Sequence, residues 1–187
     1  PFAGFYRLLW LWVCRRFIVK LNYNGIITQN ERMAIREKIE DLLTRFAAAE
    51  GCWFGSVRPN GRPHIVPSWF VWHESNAFFS SSGSSVHGRN ARLNPHVQLH
   101  LPDIHEVLLI EGIASIVEQS DRATAEMLAP LFRQKYKLDI LTEMEKVPSI
   151  FIRVQPTKVL AWGTKGNSRW LLEEGDWTKY PHFNPFG

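Results

Sequence analysis

The sequence predicts a mainly β, α+β fold: an antiparallel barrel of about six or seven strands with flanking helices. Three observations carry this. Short strand-like runs follow one another across turn signals such as Pro59-Asn60-Gly61, instead of alternating with long helices. Helical periodicity is confined to a few segments, near residues 34–50, 85–94 and after Ser120. With 187 residues, the chain can bury one substantial core but has no room for a second full domain.

Residues 34–50 place Ile35, Ile39, Leu42, Leu43 and Phe46 at helical spacing with charges opposite, and Gly51 ends the helix. A first strand over 53–57 turns at Pro59-Asn60-Gly61 into a second over 63–72. Pro67 cannot donate to a ladder, so that strand belongs at an edge or carries a bulge. His73-Glu74-Ser75-Asn76 turns the chain into a third strand, 77–81. Ser85 can cap a short helix that Pro95 stops near Asn94. A fourth strand follows over 96–101, and after Pro102-Asp103 a fifth runs over 106–117, with a bulge or bend expected at Gly112. A helix follows from Ser120, with Asp121 as its cap; Ala125, Leu128, Leu131 and Phe132 form its apolar face, and Pro130 kinks or divides it. Residues 150–154 and 158–162 read as two strands flanking Pro156, and the chain after Gly163 as an aromatic, turn-rich tail with Trp170, Trp177 and Phe183.

The net charge of +4 is a poor guide to partners. Residues 1–27 hold Arg7, Arg15, Arg16 and Lys20 and no acid, which leaves the remaining residues neutral. A neutral body gives no electrostatic reason to bind nucleic acid. The apolar run from Leu8 to Cys14 is far shorter than the ~20 residues that span a bilayer. Arg15 and Arg16 follow that run, the reverse of a signal peptide. An interfacial basic helix is one reading of this segment. The other, preferred here, is upstream or non-native sequence with the natural start near Met33, so 1–27 is set apart from the functional argument. Cys14 and Cys52 form no CxxC pair, and a reducing, cytoplasmic setting is the default.

The chemistry concentrates in Ser80-Ser81-Ser82-Gly83-Ser84-Ser85, followed by His87 and Arg89. Hydroxyls and free N–H groups at a helix start donate to phosphate oxygens, and a nearby cation neutralises the rest. The alternative is a solvated serine loop with an ordinary cap. No Walker A ending is present, nor HExxH or paired histidines for a metal, nor a GxSxG elbow. His64, His96 and His100 could line a pocket or simply be strand residues.

Phe79-Ser80-Ser81-Ser82, Ser85-Val86-His87 and Asn94-Pro95 fall in one register that resembles the FMN-binding split-barrel proteins of the pyridoxamine 5'-phosphate oxidase type. The hairpin SVRPNGRPHIVPSWFVW, Glu111-Gly112, RVQPTKVLAWG and Arg169-Trp170 extend the resemblance from about Ile35 to Trp170. It implies a split β-barrel over 28–170, with 171–187 as a tail, and a homodimer holding two cofactors at its interface. It also implies FMN-dependent redox chemistry on a small molecule, with no catalytic acid or base assigned. Ser80, Ser81, Ser82, Ser85, His87 and Arg89 are the implied phosphate end. Val66, Pro67, Ser68 and Trp69 would line the flavin ring through their backbone, and Trp162 and Arg169 would reach the flavin held mainly by the other subunit. Where the family carries Arg-Lys, this chain carries Val86-His87, so one cation is lost and the other becomes an imidazole. No second basic cluster offers a cradle for a phosphorylated substrate, which points away from pyridoxamine-phosphate oxidation itself. The alternatives are an F420-dependent reductase of the same fold, or a non-catalytic flavin- or haem-binding module with His64, His87 or His100 as axial ligand.

Overall fold

The computed structural model describes residues 41–163, 166–173 and 176–179. A helical stretch α1 (residues 41–48) leads into β1 (Cys52–Val57) and β2 (Pro63–Ser68). The chain continues through β3 (Val71–His73), β4 (Asn76–Ser82), α2 (Val86–Leu93) and β5 (His96–His100). There follow β6 (Glu106–Val117), α3 (Arg122–Tyr136), α4 (Ile140–Lys146) and β7 (Ser149–Gly163), and then β8 (Gly166–Glu173) and β9 (Asp176–Lys179). The strands lie in the order β2-β1-β5-β6-β7-β4-β3, and β8 pairs with β7 and β9. Each pairing is antiparallel. The ends of that path, β2 and β3, are consecutive in the chain, with only Trp69 and Phe70 between them. The sheet therefore curls into a half-barrel whose seam is this two-residue segment.

Alternation decides what fills the barrel. Phe54, Phe79, Leu99, Leu108, Ile110, Ile152 and Val154 point inward and are fully buried, with Phe46 of α1 packed among them. Phe78 and Phe151 point to the other face, where Leu128, Phe132, Ile140 and Met144 of α3 and α4 cover them. Strand β4 opens with four consecutive buried residues because both its faces are covered.

Local signals formed as read. Gly61 takes φ 78° in the β1–β2 turn, where its N–H donates to the Arg58 carbonyl at 2.8 Å. Asp121 caps α3 by accepting from the Thr124 N–H at 3.0 Å. Pro67 lies on β2, an edge of the strand path.

Five features differ from expectation. The second strand, expected over 63–72, breaks at Trp69–Phe70, because Phe70 turns into the core and a helix takes over its backbone bonds. The two strands expected around Pro156 are one strand of 15 residues. Pro156 sits opposite Gly112 at the register shift of β6, so the missing donor coincides with an irregularity already in the ladder. A Cβ on Gly112 would lie 2.7 Å from the Gln155 carbonyl oxygen, so no larger residue fits. Pro130 leaves α3 undivided, since its ring lies on the exposed side where water can serve the displaced carbonyl. Helix α4 was not foreseen, and the expected tail contributes β8 and β9. The readings of residues 1–27, of 34–40 and of Phe183 lie outside the described residues.

Candidate functional site

The site begins where β4 runs into α2. Ser85 takes an extended backbone conformation and its hydroxyl accepts the Gly88 N–H at 3.1 Å, a side-chain cap worth about 1 kcal/mol. A Cβ at Gly88 would come within 2.7 Å of the Ser85 hydroxyl, so a larger residue there would displace the cap. No acidic residue occupies the first turn of α2, so the positive end of the helix is not neutralised locally. At the far end, Asn94 Oδ1 accepts the His96 N–H at 3.1 Å and carries the chain past Pro95 into β5.

Ser81 is the hub. Its hydroxyl lies 2.8 Å from Ser85 Oγ and 2.8 Å from His87 Nε2. Register places Ser81 opposite Ile150 on the inner side of β4, while Ser80 faces Phe151 on the side covered by α3 and α4. Ser82 turns toward the loop tip, its hydroxyl 2.9 Å from Ser84 Oγ. Arg89 is exposed and folds back to donate to the Ser84 carbonyl. The structure thus brings together Ser81, Ser85 and His87, keeps Ser82 and Arg89 at the rim, and sends Ser80 to the other face.

His87 is half-buried against the Phe54 ring, with centroids 5.7 Å apart. Burial lowers its pKa, and repulsion from His64 lowers it further, so the imidazole is neutral at neutral pH. His64 comes from β2 and its Nδ1 accepts from Arg58 at 3.2 Å. The β1–β2 hairpin therefore brings His64 within electrostatic reach of His87, with Arg58 beside it. Asn90 and Ser56 hold that arrangement: both are buried, and Asn90 Nδ2 donates to Ser56 Oγ at 3.0 Å. Sequence reasoning passes over Asn90 and Ser56 and leaves His64 open between a pocket-lining and a plain strand residue. An asparagine just over one turn into an otherwise basic helix, with no local partner for its amide, is the available signal.

Val66, Pro67 and Ser68 lie along β2, which has β1 as its one neighbour among the described residues and so is an open edge with respect to them. Val66 and Ser68 are half-buried and Pro67 is exposed. Trp69 follows the strand, 56 % exposed, its indole stacked on Tyr136 at 4.9 Å and 10°. Trp162 and Arg169 face each other across β7 and β8, and their side chains lie outside the described residues.

This geometry suits an anion held at the start of α2 by two hydroxyls, free N–H groups and imidazoles, with a planar group alongside the open edge of β2. The phosphate and ring ends of FMN fit that donor set. Ser81, Ser85 and His87 would hold the phosphate, and the backbone of Val66–Trp69 the ring.

Comparison with known proteins gives the class. The family profile for Pyridoxamine 5'-phosphate oxidase matches residues 35–163, and the chain belongs to this family. No curated protein matches it. Among solved structures, Campylobacter jejuni ChuZ aligns with a TM-score of 0.64 at 16% identity, over 81% of this chain and 66% of that one. A pyridoxamine 5'-phosphate oxidase-related, FMN binding protein from Nostoc punctiforme aligns with a TM-score of 0.53 at 15% identity, over 83% and 97%. HutZ, the heme storage protein from Vibrio cholerae, aligns with a TM-score of 0.56 at 18% identity, over 70% and 97%. At these identities the likeness is one of fold. Among the described residues, no helix is long and apolar enough to cross a membrane.

Proposed function

We propose that this chain is an FMN-dependent oxidoreductase acting on a small molecule, and that it works as a homodimer with a cofactor at each end of the interface. The observation that carries the reading is the Ser81–Ser85–His87 cluster at the capped start of α2, beside the open edge of β2. The flavin-binding relative from Nostoc punctiforme shares the fold and supports the choice of cofactor. When bound, FMN supplies the redox chemistry. The chain's own residues anchor the phosphate, fix the ring against β2 and shield one of its faces.

A second copy suits the outer face of the β2-β1-β5-β6 sheet. Trp53 (36 %), Ile65 (53 %) and Ile113 (37 %) stand exposed there on one side of the ladder. A partner would cover these apolar groups and bring its own Trp162 and Arg169 toward the flavin. A reducing cytoplasm fits the buried free thiol of Cys52, which burial pushes up to about 12 and so keeps neutral.

The test is an absorption spectrum of protein purified without added cofactor, followed by titration with FMN and with F420. A flavin spectrum, or FMN uptake that Ser85→Ala weakens about tenfold, is the expected outcome. A haem band would replace this reading with a haem-binding module, tight F420 uptake with a deazaflavin reductase, and uptake of none of the three would remove the oxidoreductase altogether.

A further inference from the structure

The seam between β2 and β3 carries a device outside the phosphate site. Among the described residues, Trp69 and Phe70 have no ladder partners, as the β1–β2 register ends at Ser68 and the β3–β4 register begins at Val71. Phe70 is nevertheless completely buried, and a buried backbone N–H and C=O both require partners. The last turn of α3 supplies them. Tyr136 Oη accepts the Phe70 N–H at 2.9 Å and lies 2.7 Å from the carbonyl oxygens of Phe70 and Glu50, one of which takes its proton. Lys135 Nζ donates to the Phe70 carbonyl at 2.9 Å and the Ala47 carbonyl at 3.1 Å, and sits 4.0 Å above the Phe70 ring centroid.

Two adjacent residues of one helix thus grip the seam from the N–H, the C=O and the ring of a single phenylalanine. The same tyrosine ring is the surface on which Trp69 stacks, although the indole remains more than half exposed. A clamp needed only to close the barrel could bury Trp69. This one leaves it exposed on the Tyr136 ring, next in the chain to Val66, Pro67 and Ser68. We infer that Lys135 and Tyr136 are positioning residues for the ring end of the cofactor site, fixing Ser68 and Trp69 as its wall. The inference rests on the flavin reading above. Burial lowers the Lys135 pKa to about 8 and raises that of Tyr136 to about 12, which fits two groups kept in the grip despite the loss of solvent.

The test compares FMN with riboflavin, which has the ring but no phosphate, by fluorescence titration and visible circular dichroism. Tyr136→Phe keeps the ring under Trp69 and removes the hydroxyl. Lys135→Met removes the ammonium, and Trp69→Ala, at an exposed position, leaves the grip intact while removing the wall. Each variant is expected to weaken both flavins by the same factor, roughly tenfold, and to reduce the dichroism of the bound ring. Ser85→Ala should weaken FMN alone. Thermal melting separates misfolding from mispositioning, and Trp69→Ala remains informative if either grip variant fails to fold. Unchanged flavin affinity and dichroism in the folded variants would overturn the positioning role and leave the cofactor reading intact. A wild-type protein that binds neither flavin would overturn the cofactor reading and the inference with it.

Discussion

The two ends of the candidate site are built on opposite plans. At the start of α2, polar side chains bond mainly to one another: Ser81 to Ser85 and His87, and Ser82 to Ser84. Such bonds are exchangeable, because an arriving anion can replace each hydroxyl partner without leaving a buried group unsatisfied. At the seam, side chains bond to backbone that has no ladder partner among the described residues. Those bonds cannot be lent to a ligand. One end is poised to receive, and the other holds its shape.

The largest expected contrast comes from deleting the centre of each end. Tyr136→Ala removes the Trp69 stack and leaves the buried Phe70 N–H bare, and should cost about 2–4 kcal/mol in urea unfolding. Ser81→Ala should cost under about 1 kcal/mol in the same experiment while weakening FMN several-fold. Equal losses of stability would erase the distinction between the ends.

Asn90→Ala sits between these extremes. It leaves the buried Ser56 hydroxyl with only its 3.4 Å bond to the His64 carbonyl and loosens α2 from β1, for an expected cost of about 1–3 kcal/mol. The hairpin carrying His64 and Arg58 should then drift from the phosphate end, so FMN affinity should fall in addition. Wild-type affinity in a folded Asn90→Ala protein would detach that hairpin from the site.

The smallest effect is electrostatic. The folded-state pKa of His87 lies below its ordinary 6.5, so between the two values the unfolded chain binds more protons than the folded one. The His87 contribution to stability is therefore complete above pH 6.5 and declines as pH falls through the lowered value. A phosphate dianion reverses this by favouring the imidazolium, so FMN binding should take up protons in mildly acidic buffer. Calorimetry in two buffers of different ionisation enthalpy measures the uptake, and His87→Gln should abolish it.

How much of this was legible follows from distance along the chain. Turn residues and caps act over a few positions, so Gly61, Ser85 and Asp121 could be read directly, as could the bulge at Gly112. Ser81, Ser85 and His87 lie within six residues of each other, and their meeting depends only on a strand end and a helix cap. Ser80 was grouped with them although strand alternation beside the buried Phe79 would have sent it to the other face. The seam was beyond local reading. Nothing near Phe70 announces a break, because the groups that stabilise it stand 65 and 66 residues away. The link of His64 to His87 was hidden for the same reason, since it depends on how the hairpin closes over α2.

The pairing of Gly112 with Pro156 has a bearing on how the chain finds its fold. Among the described residues β6 and β7 form the longest ladder, yet residues 118–148 intervene, so pairing them closes a long connection and not a tight turn. Long ladders closed late are prone to slip by two residues, which preserves the inward and outward faces. Here a slip would set Pro156 against a residue with a side chain, and the bulge would fall where donors are needed. The glycine and proline act as an alignment mark, admitting one offset of the two strands and turning away the others before the barrel closes.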